Sequence, residues 1–192
     1  LYRLVGSEMC IRDRLSSFQL ESIENFRPQV ACILNISPDH MDRYPDFKTY
    51  ADVKRRIYRN AEHVVLFADD DVIGKQSELP KAVYFSAKTE CKANYRLDRT
   101  DGETILRLQG GDEIEASELS VVGVHNYINA LAAIAITDQL GIERVDQRAA
   151  LRTFQGLPHR CQLIATAEGV EWIDDSKGTN VGATKAAIEG LM

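Results

Sequence analysis

The 192-residue sequence is poor in cysteine and tryptophan and has no long apolar run. Its four cysteines lie far apart with no Cys-x-x-Cys pair, which excludes the usual spacing of zinc ligands and a dense secreted disulfide framework. The longest apolar stretch, Ala130–Ile136, is far shorter than the ~20 residues of a membrane-spanning helix. With 23 Lys+Arg against 29 Asp+Glu, the charge is negative and no basic stripe marks a nucleic-acid surface. We therefore expect a cytoplasmic protein without membrane insertion or nucleic-acid binding.

A phosphate-binding loop and well-formed chain ends are missing as well. No Gly-x4-Gly-Lys-[Ser/Thr] sequence occurs in the chain. Residues 1–14 have neither the apolar segment of a signal peptide nor the periodicity of a capped helix. The helical pattern from Ala183 to Leu191 reaches Met192 without a C-cap. We expect an internal piece of a longer protein, with residues 1–14 as a non-native leader.

What is present is an alternation of strand and helix patterns, which predicts an α/β fold. Continuous apolar runs, expected for parallel strands buried on both faces, lie at Val30–Ile36, His63–Ala68 and Ala82–Ser86. Helical patterns lie at Leu15–Asn25, Phe47–Glu62, His125–Leu140 and Arg148–Phe154. We predict a mostly parallel sheet flanked by helices.

Two further segments extend this sheet and follow it. Between Tyr95 and Leu119 the apolar period is two, with turns at Asp101-Gly102 and Gly110-Gly111, which predicts an antiparallel meander. We place the end of this domain near residue 160. A strand pair, Gln162–Ala167 and Val170–Ile173, then opens a second unit with a turn at Glu168-Gly169.

The loop Asn35–Tyr44 is the first candidate site, because ligands of open α/β sheets gather at the carboxyl ends of the strands. His40 is its candidate ligand residue. Without further context, Asp39 and His40 also fit the ordinary role of turn and capping residues.

Lys54 is the second candidate, because it lies in the buried stripe of the helix Phe47–Glu62. A lysine there either extends its ammonium to solvent along the apolar surface or has a lowered pKa, which makes a neutral amine available for covalent modification. The spacing alone leaves both interpretations open.

Two later segments carry polar groups suited to a nucleotide. Asn126 and Asn129 lie one turn apart at the start of a helix, where they could recognise a base edge or ribose, although capping is the ordinary role of Asn126. Residues 172–180 form a strand, a polar loop and a helix start, an arrangement that favours phosphate binding. Arg160, Lys177 and the Thr179 hydroxyl add charge and donors. A solvated loop with a helix cap fits this segment equally well.

These motifs occur in the order found in the Mur ligases, and the chain resembles that family from Leu15 to Met192. The segments that resemble the family are residues 15–21, 35–45, 123–133, 156–160 and 172–180. The resemblance implies that residues 15–160 are the central ATP-binding domain and that 161–192 begin a Rossmann-like C-terminal domain, both truncated. The Ser-Ser-Phe-Gln and Asp-His-Met-Asp-Arg-Tyr-Pro blocks favour the member that adds D-glutamate.

The resemblance also implies an ATP-dependent ligase of peptidoglycan synthesis, acting as a monomer. ATP and Mg²⁺ would be its cofactors, and UDP-N-acetylmuramoyl-L-alanine and D-glutamate its substrates. By motif match, His40 would contact Mg²⁺ and substrate, and Lys54 would be a carbamylated lysine that binds Mg²⁺. The implied substrate contacts are Ser16, Gln19 and Thr179. The implied ATP contacts are Asn126, Asn129, Arg160, Asp175 and Lys177.

The sequence departs from the family pattern at several positions. Arg14 stands where the family has a metal-binding glutamate, the phosphate loop is missing, and Cys161, Gln162 and Gly178 replace more usual residues. We therefore expect the chain alone to be inactive. Two alternatives stay open: a related Mur or folylpolyglutamate synthase-like ligase that uses another amino acid, and a non-catalytic nucleotide-binding module.

Overall fold

A six-stranded sheet organises the first part of the chain. The computed structural model describes residues 12–73, 79, 81–100, 102–178, 184–185 and 187–188. Strands run in the order β1 (Val30–Ile33), β2 (His63–Phe67), β3 (Ala82–Ser86), β4 (Tyr95–Thr100), β5 (Glu103–Arg107) and β6 (Glu113–Glu115). Strands β1 to β4 pair in parallel, whereas β5 and β6 add antiparallel edges. The predicted mostly parallel sheet with a meander is confirmed. Asp101 of the predicted turn lies outside the described residues.

Four α-helices lie within the described part of the chain. They are α1 (Ser17–Ser22), α2 (Phe47–Arg55), α3 (Val124–Gln139) and α4 (Arg144–Thr153), with 3₁₀ turns at Arg56–Tyr58 and Ala116–Glu118. Helix α2 is shorter than predicted because residues 62 and 63 already bond to the chain just before β1: Glu62 N donates to Pro28 O at 3.1 Å and His63 N to Gln29 O at 2.9 Å. The predicted helix at 183–191 lies largely outside the described residues.

Two apolar clusters sandwich the sheet because alternate side chains of β2 point to opposite faces. Val65 faces α3, where Leu131 and Ile134 are almost completely buried. Val64 and Leu66 face the other way, toward Tyr58 of the 3₁₀ turn after α2. The 3₁₀ turn Arg56–Tyr58, which follows α2, therefore packs against β1.

A separate two-stranded sheet follows the first domain. Strands β7 (Gln162–Ala167) and β8 (Val170–Asp174) pair antiparallel, with a register shift between Leu163 and Ala165. Glu168 and Gly169 both have positive φ, at 52° and 79°, as the predicted tight hairpin turn requires. The strand pair expected after residue 160 is present as this second sheet.

Candidate active site

The loop after β1 presents His40 at the tip of a tight turn. His40 has φ 54°, an uncommon left-handed conformation for a residue other than glycine. Its carbonyl accepts from Arg43 N at 3.0 Å and Tyr44 N at 3.2 Å, and its own N–H donates to Asp39 Oδ1 at 2.9 Å. Asp39 thus has the turn-stabilising role expected of it. The His40 side chain remains 46% exposed and accessible to a ligand.

Lys54 lies on the last turn of α2 and is half-buried, with Nζ 5.5 Å from the centre of the Tyr50 ring. Burial lowers the pKa of Lys54, and the Asp39 carboxylate acts in the opposite direction. This direction agrees with the second interpretation of the stripe, since a lowered pKa favours the neutral, nucleophilic amine. The electrostatic influence of Asp39 also indicates that the His40 loop lies near Lys54.

Helix α1 lies against the same loop and carries Ser16 and Gln19 at its amino end. Ser16 is the N-cap: its Oγ accepts from Gln19 N at 3.3 Å, while Gln19 Oε1 accepts from Ser16 N at 2.9 Å. This reciprocal capping box fixes both side chains locally. Between α1 and the loop, the rings of Phe18 and His40 lie 5.0 Å apart. Ser16 and Gln19 therefore lie on the helix that packs against the His40 loop, and we group them with His40 and Lys54.

Asn126 and Asn129 lie on the first turns of α3, as predicted. Asn126 is not the N-cap; Gly123 holds that position with φ 105°, which a side chain would strain. Asn126 Nδ2 donates instead to Val122 O at 2.7 Å. Asn129 is exposed. The capping role expected for Asn126 was therefore wrong, because glycine alone meets the backbone requirement there.

The segment that contains Arg160, before β7, lies beside the segment that contains Asp175 and Lys177, after β8. Lys177 N donates to His159 O at 3.1 Å, and Cys161 N donates to Asp175 Oδ1 at 3.2 Å. His159 and Cys161, on either side of Arg160, have φ 63° and 46°. The bond from Lys177 N to His159 O brings the backbone at Lys177 next to that at Arg160. Thr179 lies outside the described residues.

The side chains of His159 and Asp174 form a further contact between these two segments, and no sequence motif indicates it. His159 Nδ1 and Asp174 Oδ2 lie 2.7 Å apart, and Ser176 N donates to Asp174 Oδ1 at 2.9 Å. Hydrogen bonds from His159 and Ser176 lower the pKa of Asp174 to about 2. No sequence spacing indicates this pair, since it forms only when residue 159 folds back on the end of β8.

The ten predicted residues thus form three groups, one of which is incomplete because Thr179 is not described. The groups are held by hydrogen bonds to neighbouring residues, such as those from His40 to Asp39 and from Asn126 to Val122. No set of three His, Cys, Asp or Glu residues poised to hold a metal ion occurs in the described ranges. None of the described helices is long and apolar enough to span a membrane.

Comparison with known proteins decides the family. The model of the Mur ligase middle domain matches residues 7–137, more than half of the chain. The chain belongs to the Mur ligase family. A UDP-N-acetylmuramoylalanine–D-glutamate ligase from Nitrosococcus oceani is 46% identical over 180 residues, which cover 92% of this chain and 39% of the relative. The ligase of that name from Yersinia pestis is 44% identical over 93% of this chain and 40% of its own length.

Solved structures confirm the fold of this Mur ligase chain. A UDP-N-acetylmuramate-alanine ligase from Thermotoga maritima has a TM-score of 0.67 and 27% identity, covering 91% of this chain and 40% of that one. A pseudomurein peptide ligase from Methanothermus fervidus has a TM-score of 0.72 at 24% identity, covering 85% and 41%. The chain therefore spans about two fifths of the length of the relatives that it matches.

Proposed function

We propose that the chain is part of a ligase that joins D-glutamate to UDP-N-acetylmuramoyl-L-alanine with hydrolysis of ATP to ADP. Residues 15–160 are the central domain in this proposal, 161–192 begin the C-terminal domain, and 1–14 are a non-native leader. The supporting observation in the structure is a half-buried lysine with a lowered pKa, Lys54, beside the loop that presents His40. Identity of 46% to relatives of that name, against 27% for the alanine ligase, favours D-glutamate over another amino acid.

The chemistry is activation of a carboxylate followed by amide formation. A substrate carboxylate oxygen attacks the γ-phosphorus of ATP, ADP leaves, and an acyl phosphate forms. The amine of D-glutamate then attacks the acyl carbon, loses a proton, and expels inorganic phosphate. Both steps develop negative charge on phosphoryl oxygens, so cationic groups and backbone donors near the phosphates lower the barrier.

A magnesium ion would fit His40 and Lys54 only if Lys54 is carbamylated. Mg²⁺ prefers oxygen ligands and commonly binds through one or two carboxylates together with substrate phosphates. Unmodified Lys54 has no side-chain oxygen, but attack of its neutral amine on CO₂ forms an N–C bond, releases one proton to solvent and leaves a carboxylate-like carbamate. Lys54 as the carbamate and His40 would then hold the ion, which would offset phosphoryl charge.

The remaining polar residues would bind substrates. Ser16 and Gln19, next to His40 on α1, would contact the muramoyl substrate, and Thr179 the incoming D-glutamate. The nucleotide would be bound by residues from α3 and from the segments before β7 and after β8: Asn126, Asn129, Arg160, Asp175 and Lys177. Arg160 and Lys177 supply the positive charge that ATP requires, which the overall charge of −6 does not.

The chain alone would be inactive in this proposal, because it has no phosphate-binding loop and has Arg14 in place of a glutamate. Function is therefore tested in a chimera. Residues 15–192 replace the matching stretch of the Nitrosococcus oceani ligase. The residue before position 15 then comes from that ligase, in place of Arg14. We expect phosphate release that requires ATP, UDP-N-acetylmuramoyl-L-alanine and D-glutamate together.

Lys54→Ala in this chimera should reduce activity by more than about 100-fold, beyond the range typical for residues that only support a ligand. The matched control is Lys48→Ala on the same helix, since Lys48 is 84% exposed and pairs only weakly with Asp52 at the surface. A signal from ¹³C-bicarbonate on Lys54, detected by NMR of the 192-residue chain, is expected. A folded chimera that keeps its activity in Lys54→Ala would overturn the proposal.

A further inference from the structure

We propose that Glu21 is a positioning residue: through Arg43 and Tyr44 it holds the His40 loop on α1 and so sets the position of His40 relative to Lys54. This role rests on the proposed function, and neither the motifs nor the comparisons assign a role to Glu21. It concerns how the predicted ligands are kept in place, not which residues they are.

Both carboxylate oxygens of Glu21 are bound by the loop. Arg43 Nη2 lies 2.6 Å from Glu21 Oε2, and the Tyr44 hydroxyl donates to Oε1 at 2.6 Å. The Glu21 carbonyl accepts in addition from Arg56 Nη1, on the 3₁₀ turn after α2, at 2.8 Å. Hydrogen bonds from Arg43 and Tyr44 lower the pKa of Glu21. One residue of α1 therefore bonds both the His40 loop and the end of α2.

Of the residues that Glu21 binds, Tyr44 belongs to a row of aromatic rings and Arg43 lies over one of those rings. The Phe18 ring lies 5.0 Å from the His40 ring and 6.5 Å from Tyr44, and the Arg43 guanidinium lies 4.8 Å above Phe18. We call Phe18, Tyr44 and Tyr50 the aromatic row. Its last members, Tyr44 and Tyr50, have ring centres 5.2 Å apart.

The aromatic row connects the two predicted metal ligands, because His40 contacts its first ring and Lys54 Nζ lies 5.5 Å from its last. Tyr44 and Tyr50 are both 5% exposed, so the middle of the row is packed and transmits displacements. Glu21 binds Tyr44, which belongs to this packed part, and Arg43, which lies over Phe18. Releasing Glu21 would free Arg43 from Phe18 and leave the buried Tyr44 hydroxyl without its acceptor.

A functional effect larger than the stability effect follows from the exposure of the contact. The Arg43 side chain is 51% exposed and that of Glu21 29%, and ion pairs exposed to this extent contribute little to stability. A displacement of about 1 Å at a reacting centre can reduce a rate by ~100-fold. We therefore expect a change at Glu21 to displace His40 without unfolding the chain.

The test measures the magnesium dependence of the chimera described above, in variants Glu21→Gln and Glu21→Leu. We expect the Mg²⁺ concentration for half-maximal activity to rise by about 10–100-fold in Glu21→Leu, the range found for residues that support metal ligands, and less in Glu21→Gln. A mere loss of folded protein lowers the activity but leaves this concentration unchanged. Asp52→Asn is the matched control, because Asp52 also pairs with an arginine, Arg55, on the outside of α2.

A second readout avoids activity altogether. In the 192-residue chain, the Phe18 ring should shift the ¹H resonances of the His40 ring, and Glu21→Leu should abolish that shift while Asp52→Asn preserves it. If Glu21→Leu does not fold, Tyr44→Phe replaces it, because that change removes only the hydroxyl bonded to Glu21.

The possible outcomes separate the two proposals. Loss of activity in Lys54→Ala, with Glu21→Leu and Tyr44→Phe indistinguishable from Asp52→Asn in both readouts, would overturn the role of Glu21 alone. Full activity in Lys54→Ala would instead overturn the proposed function on which this role rests.

Discussion

Replacing Tyr95 by phenylalanine removes a single hydroxyl from the interior between β4, α3 and α4. Tyr95 is fully buried, and its hydroxyl donates to Asp138 Oδ2 at 2.9 Å. Asp138 also accepts from Gln147 Nε2 at 2.7 Å and Arg144 Nη2 at 3.0 Å. Burial and the neighbouring carboxylate raise the pKa of Tyr95, as expected for a hydroxyl that donates to an ionised acceptor. This network joins the sheet to the helix that carries Asn126 and Asn129.

The expected cost is about 1.5 kcal/mol, the lower end of the range for a hydrogen bond to a charged group. The lower end applies because Asp138 keeps its bonds from Gln147 and Arg144, and phenylalanine fills nearly the same volume. With a urea slope of about 2 kcal/mol per molar, the unfolding midpoint of the chain should fall by roughly 0.75 M. The measurement is urea unfolding followed by far-UV circular dichroism.

Tyr127→Phe is the control, because Tyr127 packs on the same apolar cluster and no hydrogen bond of its hydroxyl is found among the described residues. The free energy of unfolding of Tyr127→Phe should differ from that of the parent chain by less than about 0.5 kcal/mol. Combining Tyr95→Phe with Asp138→Asn should show a coupling of about 0.5 kcal/mol or more. Equal midpoints for Tyr95→Phe and Tyr127→Phe would refute the reasoning.

Three further predictions concern single groups. Arg14→Glu should raise the affinity of the chain for Mn²⁺, measured by electron paramagnetic resonance, because it restores a carboxylate beside α1; an unchanged affinity would contradict this. Burial raises the pKa of Cys32 to about 12, so iodoacetamide should modify the thiol only after unfolding. The free energy of unfolding should also decline above pH 9.0, the pKa of this thiol in the unfolded chain. Mass spectrometry of the labelled peptides checks the first effect, and rapid labelling of native protein would refute it. The Asp174 carboxyl should titrate near pH 2 by NMR, and its stabilising contact with His159 should be present above the unfolded value of 3.8 and lost as the pH falls toward 2; His159→Gln should raise that midpoint, and an unmoved midpoint would exclude the pair.

The fold was largely predictable because local patterns carried it. The run Ala82–Ser86 is a strand with the predicted bounds, and Glu168-Gly169 forms the predicted turn. Predicted bounds failed where distant residues intervened. Helix α4 begins at Arg144 instead of Arg148, since the Arg144 and Gln147 side chains bond Asp138 of α3 across the connection.

The candidate site was predictable residue by residue but not in its connections. Lys54 stood out because a charge interrupts an apolar stripe, and the motif order singled out His40. The contact of Glu21 with Arg43 and Tyr44 spans more than 20 residues, and no periodicity reports on it. Asn126 was misjudged because the backbone conformation of Gly123, which decides the cap, is not a property of the asparagine.

The order of strands and helices, the polar loops at the carboxyl ends of the strands, and the family could all be inferred from the sequence alone. These follow from hydrophobic periodicity and motif order, which are properties of short segments. Three features are visible only in the folded chain: Lys54 is half-buried next to a ring, Phe18 lies against His40, and Glu21 binds Tyr44 of the His40 loop. Burial, pKa and side-chain contact depend on segments brought together by folding, and neither residue type nor spacing specifies which segments meet.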